Sequence, residues 1–162
     1  MVRAGLLFLA LLPLAGQTLP KFEDYPIKIY RGKTVSPKPP KPQDREVKCC
    51  FWAEDSGPIN FAGKYRLVQD TCGSECVSIH IVDRVTGQHF SEGSYGYSYT
   101  FGQNRRAELP KGLEYRVTSR LLIVHGCPGE EKCGTYYLLM NPRGLKRLKY
   151  VPFAFDEYSR PN

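Results

Sequence analysis

Six cysteines, Cys49, Cys50, Cys72, Cys76, Cys127 and Cys133, have the widest chemistry open to them in this 162-residue chain. Thiols in clusters hold metals, exchange electrons or, once oxidised, staple loops. The redox spacing Cys-x-x-Cys is absent, and Cys-x₃-Cys and Cys-x₅-Cys are looser than the usual zinc pairs. No metal and no cofactor are therefore expected. In an oxidising compartment an even count reads first as a disulfide framework. The symmetric pairing is Cys72 with Cys76 and Cys127 with Cys133, each closing one hairpin loop, since facing strand residues lie about 4.5–5.5 Å apart. Loops this short remove little denatured-state entropy, so each bridge is worth roughly 1–2 kcal/mol and acts mainly on loop shape. Cys49 and Cys50 then bond to each other across a strained peptide, stay free, reach another chain, or take up longer links to Cys72 or Cys127.

The stretch Ser94-Tyr95-Gly96-Tyr97-Ser98-Tyr99-Thr100-Phe101 is the second candidate. Strand alternation sets its four rings on one face and its small residues on the other. Those rings either pack into the core or form a ladder that grips a glycan or peptide, because tyrosine pairs a flat apolar body with a polar tip. Arg105 and Arg106 follow closely and would stand at the rim. A ligand site of Tyr95, Tyr97, Tyr99, Arg105 and Arg106 is thus expected to favour an anionic ligand.

Hydrolase signatures are missing: there is no Gly-x-Ser-x-Gly, no His-Glu-x-x-His and no Ser-x-x-Lys. His80 and His125 fall on strands of different halves and would need to approach one another to share a site. Glu92, Glu108 and Glu114 form no pair that the sequence reveals. Catalytic residues stay unassigned, and the balance leans against an enzyme.

These groups are positioned by a chain that divides into four stretches. Residues 1–17 carry Arg3, the apolar run Ala4 to Ala15 and a small-residue exit, the pattern of a cleavable secretory signal. About twelve apolar residues are too few for a bilayer that needs roughly twenty, so no integral membrane protein is expected. Residues 18–48 hold Pro20, Pro26, Pro37, Pro39, Pro40 and Pro42 among eight lysines and arginines and only four acids. They read as a proline-rich basic linker or arm, either a plain spacer or a contact for anionic envelope surfaces. Residues 49–158 read as the folded domain and 159–162 as a tail. The net charge of +7 alone does not imply nucleic acid, since no recognition motif accompanies it.

Within the domain the pattern is that of strands. Val77, Ile79 and Ile81 alternate with Ser78, His80 and Val82, and Leu113, Tyr115 and Val117 alternate with Glu114, Arg116 and Thr118. Ser119 to His125 and Thr135 to Met140 are continuous apolar runs suited to strands buried on both faces. Arg143, Lys146, Arg147 and Lys149 alternate with Leu145, Leu148 and Tyr150, as on a solvated strand face or edge. Cys76 to Gly87 and Cys133 to Gly144 are both eleven residues apart, so the halves echo one another. The expected fold is all-β: one small antiparallel domain, a sandwich or partly open barrel, built from two similar cysteine-flanked hairpin units and supported by disulfides.

Phe61-Ala62-Gly63-Lys64-Tyr65, Cys72-Gly73-Ser74-Glu75-Cys76 and Asp83-Arg84-Val85-Thr86-Gly87 stand in an order that resembles a group of uncharacterised exported bacterial proteins with a Phe-Ala-Gly-x-Tyr, Cys-Gly-x-x-Cys, Asp-x-x-Thr-Gly pattern. The resemblance covers about thirty residues. It implies a bacterial envelope protein and supports the local Cys72–Cys76 pair, and it carries no catalytic residue across.

The function these features suggest is a non-enzymatic binding or interaction module, periplasmic or secreted. Its partner would be an envelope protein or a cell-wall or glycan ligand, and inhibition of an envelope or secreted hydrolase is one concrete form. The alternative from another class is a cell-wall-acting hydrolase whose site is assembled only in three dimensions. Oligomeric state is not legible in the sequence.

Overall fold

The computed structural model describes residues 18–38, 56–73, 76–90, 112–126, 132 and 134–153, with the side chains of residues 70–78 outside that description. Its regular structure is almost wholly β. Strands β1 (Tyr65–Gly73), β2 (Cys76–Asp83) and β3 (His89–Phe90) form one antiparallel sheet in that order. Strands β4 (Leu113–Tyr115), β5 (Leu121–Gly126), β6 (Gly134–Asn141) and β7 (Gly144–Pro152) form a second. Both are meanders of neighbouring strands, which short turns alone can connect. A 3₁₀ turn, Phe22–Asp24, precedes them.

Alternation explains which residues meet. On the first sheet Leu67 faces Ile81, and on the second Leu122 faces Leu138 and Val124 faces Tyr136. These side chains belong to one buried cluster with Phe61, Tyr65, Ile79 and Met140, so both sheets contribute to a single core. Each such side chain adds about 1.5–3 kcal/mol on burial. Phe61, immediately ahead of β1, is fully buried and lies edge-on to Tyr115 of β4, with ring centroids 6.1 Å apart. It thereby bridges the sheets. The other faces are not all wet: Val82 and Leu121 are also fully buried. That agrees with the continuous apolar run through β5, whose residues are buried except for the partly exposed Ile123.

The edges are treated differently. Along β1, the Asn60 side chain stands in for a strand: its Oδ1 accepts from Leu67 N–H and its Nδ2 donates to Leu67 C=O. At β7, the last strand of its sheet, Lys146 and Arg147 are exposed, charge that discourages edge-to-edge pairing. The β1–β2 ladder has a bulge between Thr71 and Gly73, and Gly73 rather than Cys72 lies opposite Cys76.

The β2–β3 turn is organised by Asp83, which is buried. Its Oδ1 accepts from the backbone N–H groups of Val85 and Thr86, and its Oδ2 accepts from Lys64 Nζ at 2.6 Å. The Asp83 carboxylate holds the Lys64 ammonium above its ordinary 10.5. Burial raises Tyr65, with a smaller push from Asp83; burial also raises Tyr137, helped by the charge on Glu114. In all three the folded chain holds its proton more tightly than the unfolded chain does. Their contribution is full below the unfolded values, 10.0 for the tyrosines and 10.5 for the lysine, and is lost as pH rises through the higher folded values. Urea midpoints should therefore fall once pH passes about 10, and the double change Tyr65→Phe and Tyr137→Phe should reduce that fall.

Candidate functional site

The proline-rich segment shows how a chain with few ladder donors can still be docked. Between the prolines, four N–H groups reach the domain: Ile27 donates to Thr118 C=O, Tyr30 to Gly63 C=O, Val35 to Arg84 C=O and Lys38 to Gly87 C=O, at 2.7–2.9 Å. In the reverse direction Arg120 N–H donates to Tyr25 C=O, and Gly63 N–H donates to Val117 C=O alongside. The Ser119 hydroxyl, buried under the segment, lies 2.8 Å from Phe22 C=O and 3.2 Å from Tyr25 C=O. Residues 18–38 are thus an arm laid over the turn between β4 and β5, then over the turns before β1 and after β2.

Two glycines form the seats. Gly63 and Gly87 have φ of +76° and +73°, a region that costs other L-residues about 1–2 kcal/mol. A side chain on either would also collide with the arm's backbone, since a Cβ would stand 2.5 Å from Lys28 O at Gly63 and 2.6 Å from Ser36 O at Gly87. Beside Gly63, Ala62 takes φ of +42° while remaining buried in the core. That strained turn presents Gly63 to the arm.

The outward side of the arm is mixed apolar and basic. Leu19, Ile27, Ile29, Tyr30 and Val35 are 37–47% exposed, and they are the exposed large apolar residues among the described ones. Lys21, Lys28, Arg31, Lys33 and Lys38 lie between them, against only Glu23 and Asp24. Both acids are engaged: Glu23 pairs with Arg116 at 2.7 Å, and Asp24 Oδ2 accepts from Lys21 N–H. The Arg116 guanidinium also lies 4.4 Å from the centre of the Phe22 ring. Hydrogen bonding to its own backbone, then to Arg116, holds the Glu23 carboxyl below its ordinary range. Tyr30 hydroxyl donates to Lys33 C=O over Gly32, closing a small turn within the arm.

A second cluster lies on the outer face of the larger sheet. His125 is buried and directly opposite Thr135, with Nδ1 2.9 Å from Thr135 Oγ1 and Nε2 2.7 Å from Glu114 Oε1. A carboxylate only accepts, so Nε2 carries the proton; in the neutral ring Nδ1 then accepts from the Thr135 hydroxyl. Hydroxyl, imidazole and carboxylate stand in the order that activates a nucleophile. Thr135, however, sits within β6, paired by β5 on one side and β7 on the other. Ladder bonds occupy the neighbouring strand amides that an oxyanion would need. The cluster reads as a cross-strand network that holds the register of β4, β5 and β6.

The sequence's other candidates fall elsewhere. His80 and His125 do not converge: alternation with Ile79, Ile81, Leu122 and Val124 turns both away from the shared core, so the sheets stand between them. Of the glutamates, Glu114 finds His125. Tyr95, Tyr97, Tyr99, Arg105 and Arg106 lie outside the described residues, as do Cys49, Cys50, Cys127, Cys133, Glu92 and Glu108. Cys72 and Cys76 are described in their backbone alone, on β1 and β2. Among the described residues no group of His, Cys, Asp and Glu is arranged to hold a metal ion, and no helix is long and apolar enough to cross a membrane.

Read as a spacer or a contact for anionic surfaces, the proline-rich stretch gives no sign in its composition that it docks on the domain. The available signal was Ile27-Lys28-Ile29-Tyr30, an apolar and basic alternation inside the proline-rich stretch. Comparison of the chain with protein-family models, curated proteins and solved structures gives no match.

Proposed function

We propose that this chain is an exported, non-enzymatic interaction protein of the bacterial envelope, and that residues 18–38 form its contact surface. One observation carries the reading: the exposed large apolar side chains among the described residues all lie on this arm, interleaved with basic ones. Apolar groups gathered on one exposed strip, rather than scattered singly, mark an interaction surface. The hydrogen bonds to three turns keep the strip ordered before it meets a partner, so association loses little conformational entropy there. The two sheets, closed over one core as a small sandwich, serve as the scaffold. Local disulfides Cys72–Cys76 and Cys127–Cys133, together with the tyrosine stretch around Tyr97, would extend the contact area from the loops.

The test is retention on the envelope. The secreted chain, beginning at Thr18, is mixed with washed envelope fragments and sedimented. The unaltered chain should pellet with them, and Ile29→Ser combined with Val35→Ser should stay in the supernatant while keeping its circular dichroism spectrum. Equal retention of both would remove the arm as the contact surface.

A further inference from the structure

We infer that the partner of the arm is an anionic lipid surface, on which the arm lies at the boundary between headgroups and acyl chains; this rests on the arm being the contact surface. Three observations point there. The first is composition along a single strip: Leu19, Ile27, Ile29, Tyr30 and Val35 are exposed between Lys21, Lys28, Arg31, Lys33 and Lys38. A bilayer interface takes both kinds of side chain together, the apolar ones reaching into the acyl boundary and the lysines keeping their heads among the phosphates. An acidic protein site would need charges matched to each base and apolar pockets matched to each side chain.

The second is the charge left over. Five bases and two acids lie in residues 18–38, and both acids are already engaged, by Arg116 and by the arm's own backbone. With Glu23 matched by Arg116 and Asp24 still charged, five bases less one acid leave the arm a net charge of +4, and the whole chain carries +7. Basic residues near an anionic bilayer each strengthen binding about fivefold, and the attraction fades within a Debye length.

The third is order. Soluble lipid-binding segments commonly fold only on the membrane and lose affinity to that ordering. Here backbone hydrogen bonds from residues 27, 30, 35 and 38 hold the segment on the domain beforehand. Shallow contact by few apolar groups can then suffice, with the charges supplying the rest. Neither signal alone anchors stably, and the arm carries both.

The experiment measures sedimentation of the chain from Thr18 with vesicles of phosphatidylcholine alone and with about one part in three of phosphatidylglycerol. Binding is expected only to the anionic vesicles and should weaken with added salt. Lys28→Gln with Lys33→Gln should lower the partition coefficient about 25-fold, fivefold for each base. Ile29→Ser with Val35→Ser should lower it at least several-fold at constant charge. Loss with the lysine variant but none with the apolar variant would overturn the interfacial placement. Binding that survives both variants would overturn the arm as the lipid contact and move attention to the β7 bases. No vesicle binding, with arm-dependent retention on envelope fragments intact, would overturn the lipid and leave the interaction reading standing. Failure of both assays would bring down the two together.

Discussion

Phe61→Ala is expected to destabilise the protein by about 3–5 kcal/mol, the range for deleting a fully buried phenylalanine. The ring has no exposed surface, and it touches the space between Tyr65 on one sheet and Tyr115 on the other, with centroids 6.5 and 6.1 Å away. Removing it takes away transfer energy and leaves a void that neither backbone can close, because both sides are pinned by ladders. The same site decides whether the core is one cooperative unit. If Tyr65, Leu67, Leu122 and Leu138 belong to a single cluster, both sheets should melt in one transition shifted to lower urea. Two separate transitions, with only the first sheet weakened, would mean that the sheets are stable independently.

That shared core was legible in the sequence because burial follows alternation. Ile79 and Ile81 repeat with the period of a strand and prove to be an inward row. The run Thr135 to Met140, read as buried on both faces, sends Tyr136, Leu138 and Met140 into the core, while Thr135 and Leu139 on the other face are only half-buried. The stretch after Arg143 likewise falls on an edge strand, β7, with Lys146 and Arg147 exposed and Leu145 and Tyr150 packed against the core. What the pattern left unread depends on contacts between distant segments. Val117 continues the alternation of Leu113 and Tyr115, yet β4 ends at Tyr115, and Val117 instead gives its carbonyl to Gly63. Glu114 and His125 meet only because Glu114 pairs with Ile123 across β4 and β5, which places it diagonally beside the imidazole. Nothing in the spacing of two single residues encodes that register.

The arm is the clearest such case, and its physical reason is specific. Proline content reveals which donors a segment lacks, not which it retains. Residues 18–38 keep enough N–H groups, at Ile27, Tyr30, Val35 and Lys38, to reach a carbonyl at each of the turns they pass. The receiving positions look like ordinary turn glycines in sequence. Gly87 had a reason to be glycine in the turn after Asp83, but the carbonyl of Ser36 approaching it from about fifty residues upstream is a tertiary fact.

Substituting those seats should accordingly detach the arm while leaving the sheets paired. Gly63→Ala forces a Cβ into the left-handed region, at about 1–2 kcal/mol, and into a backbone carbonyl that has no rotamer to move. The distance to Lys28 O, 2.5 Å, is below any real Cβ contact, so the arm must lift or the turn must distort. Lifting exposes Ser119, which is 1% accessible under the arm, and breaks the bond from Tyr30 N–H to Gly63. Each lost hydrogen bond adds about 0.5–1.5 kcal/mol. The total expected for Gly63→Ala is therefore about 1.5–3.5 kcal/mol, and Gly87→Ala, which would likewise break one arm bond, that from Lys38 N–H, should cost about the same. Hydrogen exchange separates the possibilities. In Gly63→Ala the amides of Ile27 and Tyr30 should lose protection while those of Leu122 and Val124 keep it. Uniform loss across all four would mean that the turn, Ala62 with it, gives way before the arm does, and that the arm is part of the cooperative core rather than a strip laid over it.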